Sequence, residues 1–74
     1  MNFLFENNTE NLQCIEVIKC PNQSDCENEI GDGRYDSFNI LPNTSHQVNT
    51  KCDEICWRHC GGEFKRTSAR IIEV

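Results

Sequence analysis

Six cysteines, in two groups of three, dominate this sequence. The first group is Cys14, Cys20 and Cys26, and the second is Cys52, Cys56 and Cys60. A domain of 74 residues buries a small fraction of its surface, so a hydrophobic core alone gives it little stability. The even number of cysteines therefore predicts three disulfide bonds, each contributing roughly 3 kcal/mol, mainly by restricting the unfolded chain.

The second cysteine group predicts a helix over about residues 51–60. Its spacing, C-x3-C-x3-C, places all three sulfurs on one face of an α-helix. Thr50 is suited to cap the start of this helix, and Gly61-Gly62 to end it. Cysteines four residues apart on a helix do not readily bridge each other, so each is expected to pair with a cysteine of the first group. The order of pairing stays open.

Three other stretches favour short strands, because they are enriched in β-branched and aromatic residues. They are residues 12–20, 34–41 and 69–74. In the first stretch, Ile15 and Val17 fall on one face and Cys14 on the other; a helix capped by Thr9 is the alternative. The polar residues 42–49 predict an exposed loop.

Together these features predict a small disulfide-rich α+β fold. One helix in the C-terminal half, at about residues 51–60, is cross-linked to an N-terminal strand segment, and a small antiparallel sheet completes the fold. Residues 1–11 are predicted to be a flexible N-terminal arm unless their apolar trio, Phe3-Leu4-Phe5, docks on the core. Residues 12–74 are predicted to form a single disulfide-stapled domain.

The cysteine content predicts a secreted, extracellular protein, because disulfides persist in oxidising compartments. The first residues lack the basic and apolar regions of a signal peptide, so the sequence is interpreted as a mature form; a cytosolic protein is the alternative. Three N-x-S/T sequons, which begin at Asn7, Asn22 and Asn43, agree with secretion.

The charge of the chain argues against two classes of partner. A net charge of −5 disfavours nucleic acids and anionic membranes, since their phosphates attract basic surfaces. No apolar run approaches the ~18 residues that a membrane-spanning helix needs. We therefore expect no nucleic-acid partner and no membrane insertion.

Zinc binding is the rival interpretation of the cysteines. The potential ligands are Cys52, Cys56, Cys60, His46 and His59. Structural zinc sites usually draw ligands from tight C-x2-4-C turns, whereas the gaps in the first cysteine group are five residues long. We therefore predict no metal and no other cofactor, with an intracellular zinc-stabilised interaction module as the alternative.

Five residues are candidates for a binding surface. They are Trp57, Arg58, Arg34, Tyr35 and Phe38. Trp and Arg are enriched among interface hot spots, and on the predicted helix Trp57 lies away from the cysteine face. A lone Trp in a small domain is, alternatively, a core residue. Arg58 is next to Trp57. The remaining three candidates lie in the long segment between the cysteine groups, and stapled scaffolds commonly bind through such segments.

These observations predict a monomeric secreted protein that acts by binding a protein target, such as a receptor or a host protein. It would be an extracellular signal or pheromone, a venom component or an effector, without enzymatic activity. Rigidity imposed by disulfides would lower the entropy cost of binding. A protease inhibitor that presents residues 27–51 as a clamped loop is a second alternative.

Overall fold

The computed structural model describes residues 1–21, Cys26 and residues 35–74, which form a β-protein of two sheets. Its strands are, in chain order, β1 (Asn2–Glu6), β2 (Gln13–Ile18), β3 (Asp36–Ile40), β4 (Ser45–Asn49), β5 (Ile55–His59), β6 (Lys65–Thr67) and β7 (Ile71–Glu73). The described ranges contain no α-helix, and so none that is long and apolar enough to cross a membrane.

The strands are divided between a three-stranded and a four-stranded sheet. In the first sheet, β1 lies between β4 and β7, antiparallel to β4 and parallel to β7. In the second sheet the order is β3-β2-β5-β6, and every neighbouring pair is antiparallel. Short connections at residues 41–44 and 68–70 take the chain from the second sheet to the first.

The core lies between the two sheets and is built by alternating side chains. On β1, Phe3 and Phe5 are fully buried, whereas Leu4 between them is only partly buried. On β2, Ile15 and Val17 face the same core, as their spacing predicted. The remaining members of the core are Ile40, Val48, Ile55, Trp57 and Ile72. Side chains on one face of a strand recur with this period of two.

The predicted helix at residues 51–60 is wrong, because this segment contains β5, an inner strand of the second sheet. Cysteines four residues apart share one face of a strand as well as of a helix, since four is a multiple of the strand period of two. Pairing with β2 on one side and β6 on the other outweighs the local helix signals. Gly61, with a φ of 82°, belongs to the turn after β5. The fold is therefore mostly β rather than α+β.

All six cysteines form disulfides, and each bond joins the two groups. The bonds are Cys14–Cys60, Cys20–Cys52 and Cys26–Cys56. The expected pairing between groups is confirmed, but its reason is strand pairing and not a helix face. Cys60 N donates a hydrogen bond to Cys14 O at 3.0 Å, directly beyond the register of β2 with β5. Cys14–Cys60 and Cys20–Cys52 therefore reinforce the pairing of β2 with β5, and Cys26–Cys56 attaches Cys26 to β5.

The other local predictions have mixed outcomes. The three predicted strands are present, with shorter bounds, as β2, β3 and β7, and β7 pairs with β1. The loop predicted over residues 42–49 is wrong, because residues 45–49 form β4, where the buried Val48 pairs with Phe3. Residues 1–11, expected to be a flexible arm, include β1 in the middle of its sheet. Docking of the apolar trio was named as the exception to a flexible arm, and Phe3 and Phe5 do dock on the core.

Asn7 is a buried polar residue that connects three segments of the chain. Its Nδ2 donates to the backbone oxygens of Asn11, Ile40 and Leu41 at 2.8, 3.0 and 3.3 Å. Its Oδ1 accepts hydrogen bonds from the backbone N and the hydroxyl of Thr9, at 3.0 and 2.6 Å. Buried polar groups are costly unless they are paired, and this side chain is paired at both ends. Asn7 therefore attaches the loop between β1 and β2 to the end of β3.

We expect Asn7→Ala to lower the free energy of unfolding by about 1–3 kcal/mol, because it leaves the backbone oxygens of Asn11 and Ile40 and the backbone N–H of Thr9 without their hydrogen-bond partner. Asn8→Ala is the matched control, since the neighbouring Asn8 is exposed, and its effect should stay within about 0.5 kcal/mol. Denaturant unfolding of the two variants measures the difference. Equal stability of both would contradict the structural role of Asn7.

Candidate functional site: a cleft between two strand edges

An open cleft lies between β3, an edge strand of the second sheet, and β4, an edge strand of the first. It has a volume of about 420 Å³. Its lining residues are Val17, Lys19, Asp36, Ser37, Phe38, His46, Gln47, Val48 and Asn49. Three of these, Val17, Phe38 and Val48, belong to the core or pack against it. The cleft therefore has an apolar base, which is continuous with the core, and a polar border.

Two contacts of different kinds occur within the lining of the cleft. Lys19 Nζ lies 3.5 Å from Asp36 Oδ2, with the two side chains 50% and 63% exposed. The ring of His46 stacks on that of Phe38, with 3.9 Å between centroids and 17° between planes. An exposed ion pair contributes little in water, so Lys19 and Asp36 can pair with groups of a ligand at small cost. The ring stack joins β3 to β4 and holds the two strands at a defined separation.

The backbone of β4 offers hydrogen-bonding groups on its free side. Thr50 N donates to Met1 O at 2.9 Å, which places Thr50 among the residues that bond to the β1 side. In an antiparallel pair, such residues alternate with residues whose N–H and C=O point away from the partner strand. The residues of β4 with outward backbone groups are therefore Ser45, Gln47 and Asn49.

The backbone of β3 has the same property. Cys60 N donates a hydrogen bond to Cys14 O. Cys14 and every second residue after it on β2 therefore have their backbone N–H and C=O directed toward β5. The residues between them bond to β3, and this leaves Ser37 and Asn39 with outward N–H and C=O groups. Among the strands that the structure describes, none pairs with the free edge of β3 or of β4. The two edges therefore offer donors and acceptors beside the cleft.

On the opposite side of the two-sheet structure, two cationic side chains lie over aromatic rings of the core. Lys65 Nζ lies 4.8 Å from the centre of the Trp57 ring, and Arg70 Cζ lies 4.8 Å from that of Phe3. The edge strands on this side are β6, which has the sequence KRT, and β7, and both are three residues long. Short or basic edge strands are poor templates for pairing with another chain. By contrast, β3 (DSFNI) and β4 (SHQVN) are five residues long and contain no Lys, Arg or Pro.

Four of the five residues predicted to form a binding surface are described, and these four do not lie together. Trp57, named as a candidate binding residue with a core position as the other interpretation, is a core residue with 5% of its surface exposed. Phe38 lies at the cleft, whereas Tyr35 and Arg58 approach each other on the outer face of the second sheet. Arg34 lies outside the described residues. Of these five, the structure therefore places Phe38 at the cleft and Trp57 in the core.

Arg58 is engaged by neighbouring parts of the same chain. Its Nε donates to Glu16 Oε1 at 2.7 Å, and its Nη1 donates to Gly62 O at 3.3 Å. Its guanidinium carbon lies 4.5 Å from the ring centre of Phe64 and 6.0 Å from that of Tyr35. The Arg58 and Glu16 side chains are 17% and 11% exposed, so this ion pair is nearly buried. Arg58 therefore holds the turn after β5 against the outer face of the sheet.

We expect Arg58→Ala to lower the free energy of unfolding by about 2–3 kcal/mol, because the Glu16 carboxylate stays nearly buried without its partner. Lys19→Ala removes an exposed ion pair and is the control, with an expected change within about 0.5 kcal/mol. Chemical denaturation at neutral pH measures both effects. If the two variants are equally stable, the Glu16–Arg58 pair contributes no more than a surface pair.

The alternative of a zinc site does not agree with the structure. Cys52, Cys56 and Cys60 are all in disulfides and offer no thiolate to a metal. His46, on β4 of the first sheet, stacks on Phe38, while His59, on β5 of the second sheet, lies edge-on to Trp57, with 5.4 Å between ring centroids. Within the part of the chain that the structure describes, no group of three or more potential ligands comes together.

Residues 27–51, considered as the loop of a protease inhibitor, have a different form where they are described. Residues 36–49 consist of β3, a short turn and β4, and both strands are held in sheets. Residues 27–34 lie outside the described ranges. The described part of this segment therefore presents strand edges and a turn instead of one long loop.

Sequence reasoning missed the cleft because its lining comes from three separate strands. A local signal for β4 was present, since His46 and Val48 alternate with polar residues in SHQVN. That signal can identify a strand, but it does not show that β3 and β4 lie side by side as edges of different sheets. The polar border residues Ser37, Gln47 and Asn49 are ordinary surface residues in the sequence.

Comparisons of this chain with protein-family models, with curated proteins and with solved structures found no match. A function for the cleft therefore has to be inferred from its geometry and from the chemistry of its lining.

Proposed function

We propose that this chain is an extracellular binding protein that holds an extended segment of a target protein at the cleft between β3 and β4, without catalysis. The observation that carries the proposal is the pair of free strand edges beside this one cleft. An extended peptide adds to a sheet edge through main-chain hydrogen bonds, while alternate side chains enter pockets. The outward backbone groups and the apolar base of the cleft offer both kinds of contact.

The disulfides support the extracellular part of the proposal. Three intramolecular bonds are typical of proteins from oxidising compartments, where such bonds persist. In that setting the target is a receptor or a host protein, and the chain acts as a signal, a venom component or an effector. The net charge of −5 also agrees with a protein target rather than a nucleic acid.

The same bonds support binding through a rigid edge. Cys14–Cys60 and Cys20–Cys52 connect β2 with the residues that flank β5, and β2 is the hydrogen-bonded partner of β3. A strand held in this way has little conformational freedom left to lose on binding. Contacts made by its edge therefore contribute more of their free energy to affinity.

The proposal is tested by selecting linear peptides from a random library on the immobilised, oxidised protein, and then measuring their affinity for Gln47→Pro. Proline removes an outward N–H from β4 but no bond to β1, and this is the position in an edge strand where proline is tolerated. We expect the affinity to fall about tenfold, since one main-chain hydrogen bond contributes about 0.5–1.5 kcal/mol and the ring also obstructs the edge.

Two further variants make this experiment specific. Gln47→Ala removes a side chain at the cleft border but keeps the backbone N–H; it is the matched control, and its affinity should fall clearly less than that of Gln47→Pro. Ser37→Pro makes the same backbone change on β3 and identifies which edge the peptide uses. Selected peptides that bind both proline variants as tightly as the original protein would exclude strand addition. A library that yields no binder would argue against peptide binding altogether.

A further inference from the structure

Two of the N-x-S/T sequons lie in the described residues, and their environments are opposite. One begins at Asn7 and the other at Asn43, while the sequon at Asn22 lies outside the described ranges. N-linked glycans are bulky surface groups attached to the side-chain nitrogen of the sequon asparagine. A sequon asparagine can therefore carry a glycan in the folded protein only if that nitrogen is exposed and is not needed for hydrogen bonds within the fold.

The Asn7 sequon is used by the fold. The Asn7 side chain is fully buried, and its Nδ2 donates to the backbone carbonyls of Asn11 and Ile40. The hydroxyl of this sequon, on Thr9, donates to Asn7 Oδ1. A sugar on Asn7 Nδ2 would remove a buried donor and would need space that the packed structure does not have. The native fold therefore requires an unmodified Asn7.

The Asn43 sequon has the opposite properties. Asn43 is exposed at the turn between β3 and β4 and has a φ of 58°, a conformation that asparagine tolerates better than most residues. The turn is held by Thr44 instead, whose N and Oγ1 both donate to Leu41 O, at 3.2 and 2.7 Å. Ser45, which supplies the sequon hydroxyl, is also exposed. A group attached to Asn43 therefore breaks none of the contacts that form this turn.

We propose that Asn43 is an N-glycosylation site of this protein, and that Asn7 is not. The inference rests on the proposed passage of the chain to the cell exterior. The co-reactant is an oligosaccharide carried on a lipid diphosphate. The bond from Asn43 Nδ2 to the anomeric carbon forms, the bond from that carbon to the diphosphate oxygen breaks, and one amide proton is released. The lipid diphosphate is the leaving group, and no oxidant or reductant is consumed.

The position of Asn43 is compatible with binding at the cleft. The cleft is lined by residues 36–38 of β3 and 46–49 of β4, so on β3 it lies away from the turn. A glycan on the turn would extend from the opposite end of β3. It would also lie next to Leu41, which is 63% exposed. Leu12, 53% exposed, immediately precedes β2 and lies just beyond the Gln13–Ile40 pair. A polar glycan would shield these leucines from contacts with other molecules.

The test uses the full chain expressed behind a signal peptide in a eukaryotic secretory cell. Both secreted and intracellular material is digested with an N-glycosidase in heavy-oxygen water, which labels every formerly glycosylated asparagine, and is mapped by mass spectrometry. We expect label at Asn43 and none at Asn7 in secreted protein. Ser45→Ala should abolish the label at Asn43, and Ser45→Thr, which keeps the sequon, should retain it; both changes leave the left-handed residue in place.

The outcomes separate this inference from the proposed function. Unlabelled Asn43 in secreted, fully oxidised protein would overturn the glycosylation site and leave peptide binding intact. Label at Asn7 in protein that has all three disulfides would overturn the assignment of Asn7 as a structural residue. Free thiols with no export would count against the extracellular proposal. The intracellular material still reports on Asn43 in that case.

Discussion

Full reduction of the disulfides is expected to unfold this protein at room temperature. Cys14–Cys60 alone joins residues separated by 46 positions, and a bond that closes a loop of several tens of residues contributes roughly 4 kcal/mol. The three loops overlap, so their contributions are not additive. Their joint loss still approaches the free energy of unfolding of a small domain, which is about 5–15 kcal/mol. Circular dichroism before and after reduction and alkylation measures the loss of sheet structure and of the cooperative thermal transition.

Two controls identify the cause of this unfolding. Alkylating reagent without reductant should leave the mass and the thermal transition unchanged, because no cysteine is free. Removal of the reductant, followed by oxidation, should restore the pairings Cys14–Cys60, Cys20–Cys52 and Cys26–Cys56 on a peptide map. A reduced and alkylated chain that melts at the original temperature would show that core packing, and not cross-linking, is responsible for the stability.

The second large effect is expected in β1, near the N-terminus. Phe5→Ala should lower the free energy of unfolding by about 3–5 kcal/mol, because it leaves a cavity between the sheets. Phe5 is fully buried, and its ring lies edge-on to those of Phe38 and Trp57, at centroid distances of 5.8 and 5.7 Å. The variant therefore loses contacts with both strands of the second sheet that contribute these rings. Denaturant titration of the oxidised protein measures the change.

Leu4→Ala is the matched control for Phe5→Ala. Leu4 is the preceding residue on β1, points to the other face and is only partly buried, so we expect a cost of about 1 kcal/mol. Phe5→Leu, which keeps most of the buried volume, provides an intermediate that still folds if the alanine variant does not. A Phe5→Ala protein as stable as Leu4→Ala would mean that β1 does not form part of the core.

The cysteines and the residue alternation allowed part of the fold to be predicted. An even number of cysteines in a short chain indicates disulfides, and the division into two groups led to pairing between groups. Ile15 and Val17 identified the side of β2 that faces the core between the sheets, since alternation along one strand is visible without knowledge of its partners. The predicted helix failed because the spacing of Cys52, Cys56 and Cys60 satisfies both secondary structures. The choice between them depends on neighbours that local sequence does not specify.

The candidate site was predicted to a smaller degree. Phe38 was named as a binding residue and lies at the cleft, but Trp57 and Arg58 were interpreted from a helix face that does not exist. Gln47 could not be singled out, because its position on a free edge results from the pairing of β4 with β1. Edge and centre positions differ in which strands lie beside them. They do not differ in any property of the residue itself.

Cysteine content and side-chain period, both readable from the chain, account for the oxidised cross-links and for the inward faces of the individual strands. The arrangement of those strands comes from contacts between distant segments, such as β1 with β7, where Leu4 pairs with Ile71. Strand pairing is stabilised by hydrogen bonds and packing between residues far apart in sequence, and these terms exceed local propensity. For that reason the extended form of β5, the central place of β1 and the cleft beside β3 and β4 appear only in the folded molecule.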